Sequence, residues 1–270
     1  MKIFAIRDES AMIQNDLAYL IYYETDKTFY IELPEGSDPW NTPLLLDSFA
    51  KRRENTVNSY WSKLWVQQRI IPPDRQNITN IICDNHLDEY DEYGLLMLSM
   101  GRCAQDDYYL TPIEERALPN EIIERLEMKI EDILPLEENN LLVFFRDGQV
   151  KKCDLSVYFS ENDEFRILLK KPEYFEHVRI QPGGYGVSWD VNMNIPYSVL
   201  YGIGISIPLS ANDFKSFVTQ RVMNASEAAE ALGCSRQNIL DLTKRGKLHP
   251  IKSSEKNTLY LKSEIIKRNW

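Results

Sequence analysis

Val222-Met223-Asn224-Ala225-Ser226-Glu227-Ala228-Ala229-Glu230-Ala231-Leu232-Gly233-Cys234-Ser235-Arg236-Gln237-Asn238-Ile239-Leu240-Asp241-Leu242-Thr243-Lys244-Arg245-Gly246-Lys247-Leu248 is the run that decides how this chain is read. Asn224 or Ser226 can cap a first helix, and Glu227 suits the positive end of its dipole. Ala228 and Leu232 lie one helical step apart, and small Ala229 lets a second helix approach closely. Gly233-Cys234 forms a turn, and Ser235 caps a second helix running to Arg245. Ile239 and Leu242 point inward. Gly246 closes that helix at the position where a left-handed conformation is needed.

Helix, tight glycine turn and helix follow one another within about 20 residues. Downstream, Ile251–Leu261 suits a β-hairpin wing, and Ser263 can cap a last short helix ending at Trp270. Residues 222–268 resemble the excisionase and MerR-type helix-turn-helix family. The resemblance is carried by Ala225-Ser226-Glu227-Ala228-Ala229, Leu232-Gly233-Cys234-Ser235, Ile239, Leu242 and Arg245-Gly246-Lys247-Leu248. It implies a winged helix-turn-helix DNA-binding domain over residues 219–270.

In such motifs the second helix enters the major groove with its N-terminal side chains toward base edges. Ser235, Arg236, Gln237 and Asn238 occupy that turn here. Arginine can pair bidentately with guanine, and Gln or Asn with adenine, each for roughly 1–3 kcal/mol of discrimination. Lys244, Arg245 and Lys247 lie farther along and suit phosphates. Lys252, Lys256 and Tyr260 are placed to touch the DNA backbone from the wing. Asp241 repels phosphate, so it should face away or bond to a neighbour. One such unit has a small footprint, and a homodimer on a paired site in double-stranded DNA is expected.

Charge follows the same division. The chain carries a formal net charge of −10. Residues 219–270 hold 10 Lys and Arg against 5 Asp and Glu, and residues 1–218 hold 21 against 36. A basic tail on an acidic body is the asymmetry expected when one end meets a polyanion.

Two segments precede the tail. Residues 1–115 read as an N-terminal α+β domain of unknown role. Lys2–Ile6 is a candidate strand, and Leu17–Tyr23 and Thr28–Leu33 flank the polar turn Glu24-Thr25-Asp26-Lys27 as a hairpin. Residues 39–53, 56–69, 77–85 and 87–100 show helical patterning, interrupted by Pro72-Pro73-Asp74. A connector helix is expected over residues 119–135. Proline bounds it at either end, and Ile122, Ile123, Leu126, Ile130, Ile133 and Leu134 form its stripe.

Residues 140–209 read as a small α+β domain. Leu141–Phe145 and Gln149–Leu155 flank the hairpin turn Asp147-Gly148, Glu161–Leu169 suits a short helix, and Val178–Gln181 and Gly186–Asp190 are further strands. The runs Phe145-Arg146-Asp147-Gly148, Phe165-Arg166-Ile167-Leu168, Pro172-Glu173-Tyr174-Phe175 and Val187-Ser188-Trp189 resemble the domain-of-unknown-function 2442 family. That resemblance implies regulation more than catalysis, because some members accompany helix-turn-helix domains and others resemble antitoxins.

Composition bounds the rest. Hydrophobic residues at 43% and charged residues at 27% are globular values. No apolar run approaches the roughly 20 residues of a membrane helix, so no membrane association is expected. The N-terminus turns charged before an export signal forms, so a cytoplasmic location is expected. Cys83, Cys103, Cys153 and Cys234 form no close pair, and His86, His177 and His249 lack a second ligand at metal spacing. No metal or other cofactor is expected. Pro182-Gly183-Gly184-Tyr185-Gly186 reads as a hairpin turn rather than a phosphate cradle, and Asp88-Glu89-Tyr90-Asp91-Glu92-Tyr93 as a solvated helix face. The chain is expected to be a multidomain α+β DNA-binding transcriptional regulator and not an enzyme. An antitoxin-like autoregulator with a small protein partner, or an interaction scaffold, are the alternatives.

Overall fold

The computed structural model describes residues 1–12, 15–190, 192–254 and 257–266. Helices and antiparallel sheets are mixed along the chain, which makes the fold α+β.

β1 (Lys2–Asp8), β2 (Ala18–Tyr23) and β3 (Thr28–Glu32) form a meander, with Tyr23 opposite Thr28 across the turn at residues 24–27. Two strands extend it: β4 (Thr56–Val57) on β3, and β5 (Tyr108–Ile113) on β1. The resulting order is β4-β3-β2-β1-β5. β5 carries Pro112, which an edge strand tolerates because its outer N–H groups have no strand partner.

The three meander strands are apolar through their central positions because both faces of the sheet are covered. Phe4, Ile6, Leu20, Tyr22, Phe29 and Ile31 pack on one face against Phe49 of α1 (Asp47–Arg52) and against Trp65 and Val66 of α2 (Ser59–Gln67). After α3 (Ile78–Asp84), Leu96 of α4 (Glu92–Ser99) joins the same core. Ile3, Ala5, Tyr19, Ile21 and Tyr30 alternate to the other face. There they meet Ile122 and Leu126 of α5 (Asn120–Glu127) and Tyr185. Each fully buried aliphatic side chain on that helix stabilises by roughly 1.5–3 kcal/mol.

The connector differs from the helix expected over residues 119–135. The helix ends at Glu127, and Ile130–Pro135 form strand β6. β6 pairs with β7 (Asn140–Phe145) from Ile130 opposite Phe145 to Pro135 opposite Leu141, with a bulge between Ile130 and Asp132. Ile130 and Ile133 are β-branched and fit a pleated surface as well as a helix face. A free edge on β7 decides between the two.

Other helices are also shorter than their sequence patterning. Residues 39–46 fold into turns held by Asp38, which accepts from the amide of Trp40 at 3.1 Å and from Asn41 Nδ2 at 2.9 Å. Thr56 and Val57 are drawn into the sheet, and α2 starts only after Asn58, whose side chain accepts from the amide of Trp61 at 3.1 Å. The acidic run is structural: Asp91 caps α4, Glu89 pairs with Lys27, and Glu92 with Lys63.

β7, β8 (Val150–Asp154) and β6 belong to a second sheet, whose outer strand beside β8 is β12 (Ile205–Ile207). Over one face lie α6 (Ser156–Glu161), α7 (Arg166–Lys170), α8 (Pro172–Phe175) and α9 (Tyr197–Ile203), together with a small sheet. That sheet comprises β9 (Arg179–Ile180), β10 (Gly186–Ser188) and β11 (Asn194–Pro196). Phe159, Phe165 and Phe175 cluster around Trp189, whose indole N–H donates to the Phe175 carbonyl at 3.0 Å.

A buried junction bridges the segments 1–115 and 140–209. Tyr185 stacks on Tyr30 with ring centroids 3.5 Å apart. Lys129 lies between Tyr185 and Tyr197, 3.8 and 3.7 Å from their ring centroids, and its Nζ is 3.2 Å from Glu32 Oε1. Glu32 and Lys129 are fully buried. Gly183 and Gly184 take positive φ in the short turn Pro182–Gly184. A Cβ on Gly184 would come within 2.2 Å of the Ile130 carbonyl oxygen. The glycine-rich run is therefore a close-approach point between two parts of the fold.

Candidate nucleic-acid interface

The basic end of the chain begins after α10 (Ala211–Arg221), which Ser210 caps reciprocally with Asp213. β13 (Val222–Asn224) follows and leads directly into α11 (Ala225–Ala231). Asn224 is the cap: it accepts from the amides of Ser226 and Glu227 at 2.8 and 3.0 Å, while Glu227 accepts from its backbone N–H at 2.7 Å. Two orphan amides of the first turn are satisfied this way.

Gly233 ends α11 with φ of +60°. Its amide donates to the Glu230 carbonyl and that of Cys234 to the Ala229 carbonyl, at 3.1 and 2.9 Å. This paired closure needs a left-handed residue, which glycine adopts without the steric cost a Cβ imposes. The chain then re-enters helix as α12 (Arg236–Lys244), capped by Ser235, whose hydroxyl accepts from the amide of Asn238 at 3.2 Å. Gly246 closes α12 by the same pattern, with Gly246 N–H to Thr243 and Lys247 N–H to Leu242.

Ala228, Ala229, Ile239, Leu248, Tyr260 and Ile265 form the core that holds the two helices together, with Leu232 and Leu242 at its edge. β14 (Lys252–Ser253) and β15 (Thr258–Leu261) form a hairpin, and β15 also pairs with β13, giving the order β13-β15-β14. Ile265 belongs to α13 (Lys262–Ile266). His249 is tied to that helix: its amide and Nδ1 lie 2.8 and 3.1 Å from Glu264 Oε1.

This architecture leaves one face of α12 open. Ser235, Arg236, Gln237 and Asn238 are all exposed at its N-terminal turn, and Lys244, Arg245 and Lys247 are exposed at its other end. Lys252 is exposed on the hairpin. Among the described residues, Arg236, Lys244, Arg245 and Lys252 have no carboxylate within ion-pairing distance. Asp241 is engaged by Gln237, whose Nε2 lies 3.5 Å from Asp241 Oδ1.

One residue expected at the surface is not there. Tyr260 is fully buried, and its hydroxyl is 2.8 Å from Thr243 Oγ1. Strand alternation turns it inward, where it bolts the hairpin to α12 rather than offering its hydroxyl to a phosphate. Lys256 lies outside the described residues, as does the expected end of the last helix at Trp270.

No helix among the described residues is long and apolar enough to cross a membrane. In comparisons with known proteins, no family model, no curated protein and no solved structure matches this chain.

Proposed function

We propose that the chain is a DNA-binding regulator whose C-terminal unit is a winged helix-turn-helix, α12 being the element that enters the major groove. The observation that carries this reading is the co-exposure of a capped N-terminal turn bearing Arg236, Gln237 and Asn238 with Lys244, Arg245 and Lys252, which have no carboxylate partner among the described residues. The first three are side chains that hydrogen-bond base edges, and the last three are cations suited to phosphates. Small alanines at 228 and 229 let α11 and α12 pack closely, and both inter-element turns are closed by left-handed glycines.

The acidic remainder of the chain disfavours indiscriminate adhesion to a polyanion, so binding is concentrated in the C-terminal unit. Two copies on a paired site would extend the small footprint of one unit, and residues 1–209 would carry the regulatory input. Selection of duplexes from a random pool by the full-length protein tests the reading. An enriched motif of a few base pairs containing guanine, lost in R236A, is the expected result. A pool that stays random after repeated rounds contradicts it.

A further inference from the structure

A cleft of about 1310 Å³ opens where the first sheet meets the β10–β11 hairpin. Its floor is the stacked pair Tyr30 and Tyr185, flanked by Tyr197 and Arg125. One wall is the loop 53–58 with the first turn of α2, and the opposite wall is residues 192–198.

Three features give the cleft a chemical preference. The first is a positive excess: Lys27, Arg53, Lys63 and Arg125 line the cleft against the carboxylates of Asp26 and Glu54. The buried cluster in and beneath the floor holds Arg125 and Lys129 against the single carboxylate of Glu32. Arg125 donates through Nη2 to the Leu33 carbonyl, and its Nη1 finds no acceptor. On the wall, Arg53 is exposed and has no ion-pair partner among the described residues, whereas neighbouring Glu54 is held by Arg52 at 2.9 and 3.0 Å. The second is the amino end of the nine-residue helix α2, whose residues Ser59 and Tyr60 in the first turn and Lys63 in the second line the cleft. Asn58 caps the Trp61 amide, and the remaining first-turn amides with the helix dipole favour an anion beside Arg53.

The third is what surrounds that positive corner. Asn192 and Asn194 offer amides on the far wall, able both to donate and to accept. Tyr60 stands 68% exposed at the rim, a ring large enough to stack a heteroaromatic group. A phosphate corner, a hydrogen-bonding wall and a largely exposed aromatic ring, held edge-to-face with Trp61, match the parts of one molecule. We propose that this cleft is a binding site for a nucleotide, with its phosphate at Arg53 and the start of α2, and its base against Tyr60. The volume exceeds the roughly 300–1,000 Å³ of ordinary small-molecule pockets, enough for a nucleotide with water. Because the ligand would touch both parts joined at the buried junction, its binding also stabilises that junction.

The test uses the full-length protein without DNA, so it succeeds or fails independently of the proposed DNA-binding function. AMP, ADP, adenosine and ribose 5-phosphate are titrated separately by calorimetry, with thermal unfolding followed alongside. AMP or ADP should saturate at one equivalent per chain and raise the unfolding temperature. Adenosine and ribose 5-phosphate should each bind at least about tenfold more weakly, a difference of about 1.4 kcal/mol. R53A should weaken AMP by about tenfold or more while its own unfolding temperature stays unchanged. Y60A should weaken AMP and leave ribose 5-phosphate unaffected. Absence of saturable binding by either nucleotide, or equal affinity for AMP in the parent, R53A and Y60A, overturns the assignment.

Discussion

Glu32 offers the sharpest test of how the two sheets are held together. Its side chain is fully buried and serves three partners: Lys129 Nζ at 3.2 Å, Arg125 Nε at 3.4 Å and Thr56 Oγ1 at 2.9 Å. The dependence is not mutual. Glu32 is the only carboxylate paired with Lys129 among the described residues, whereas Glu32 loses one of two cations if Lys129 is removed.

Glu32→Gln keeps the shape and removes the charge, leaving an ammonium buried without a counter-ion. Removing one partner of a buried pair costs about 3–5 kcal/mol. The rings of Tyr185 and Tyr197 on either side of Lys129 soften the loss, and burial already pushes the Lys129 ammonium down to about 8, so partial deprotonation gives further relief. The lower end, about 3 kcal/mol, is therefore expected. Lys129→Met should cost less, about 1–2 kcal/mol, because Arg125 and Thr56 still satisfy Glu32. The double variant should recover at least about 1 kcal/mol relative to Glu32→Gln, since no unpaired ammonium remains. Urea unfolding at pH 7, followed by circular dichroism, measures all three. A Glu32→Gln protein within about 0.5 kcal/mol of the parent, or a Lys129→Met variant less stable than Glu32→Gln, would refute the reasoning.

Three further outcomes are expected. Gly184→Ala should destabilise by about 3 kcal/mol in the same unfolding assay, because the added carbon meets the backbone of Ile130 and the residue sits at φ +76°; a loss under about 1 kcal/mol contradicts that packing. Stability should rise by roughly 1 kcal/mol between pH 7 and 9 from Lys129 alone. Its folded pKa lies below the unfolded value, so the unfolded chain binds more protons in that window, and the gain is lost as pH falls through about 8; a Lys129→Met variant with the same pH dependence would contradict it. In fluorescence anisotropy, Arg236→Ala should weaken a selected duplex more than random DNA, whereas Lys244→Ala should weaken both alike; equal losses for Arg236→Ala contradict base reading.

Legibility in the sequence varied with how local the determinants are. The C-terminal helices could be read because caps and turn glycines are local signals: Asn224, Gly233, Ser235 and Gly246 each sit where the structure uses them. The meander could be read because Glu24-Thr25-Asp26-Lys27 separates two runs rich in Tyr, Phe and Ile. What escaped reading depends on distant partners. Ile130 and Ile133 have helical spacing, and only the edge of β7 makes them strand. Tyr108–Ile113 carries its own signal in Tyr108, Tyr109 and Thr111, which are strand formers, but its pairing with β1 spans a hundred residues. Tyr260 looked like a wing residue until the register against β13, Met223 opposite Tyr260, turned it inward. The cleft has no linear signature at all, since its walls come from residues 53–63 and 192–198.

If α12 and its neighbouring cations engage a DNA duplex as proposed, the affinity of the full-length protein for a selected duplex should fall as salt concentration rises. Each phosphate neutralised contributes about −0.9 to the slope of log affinity against log salt, so exposed Lys244, Arg245 and Lys252 acting together should give a slope of about −3 or steeper. Reversing their charge in K244E/R245E should flatten it. A flat salt dependence in the parent, or no retention of duplex even at low ionic strength, would contradict the claim.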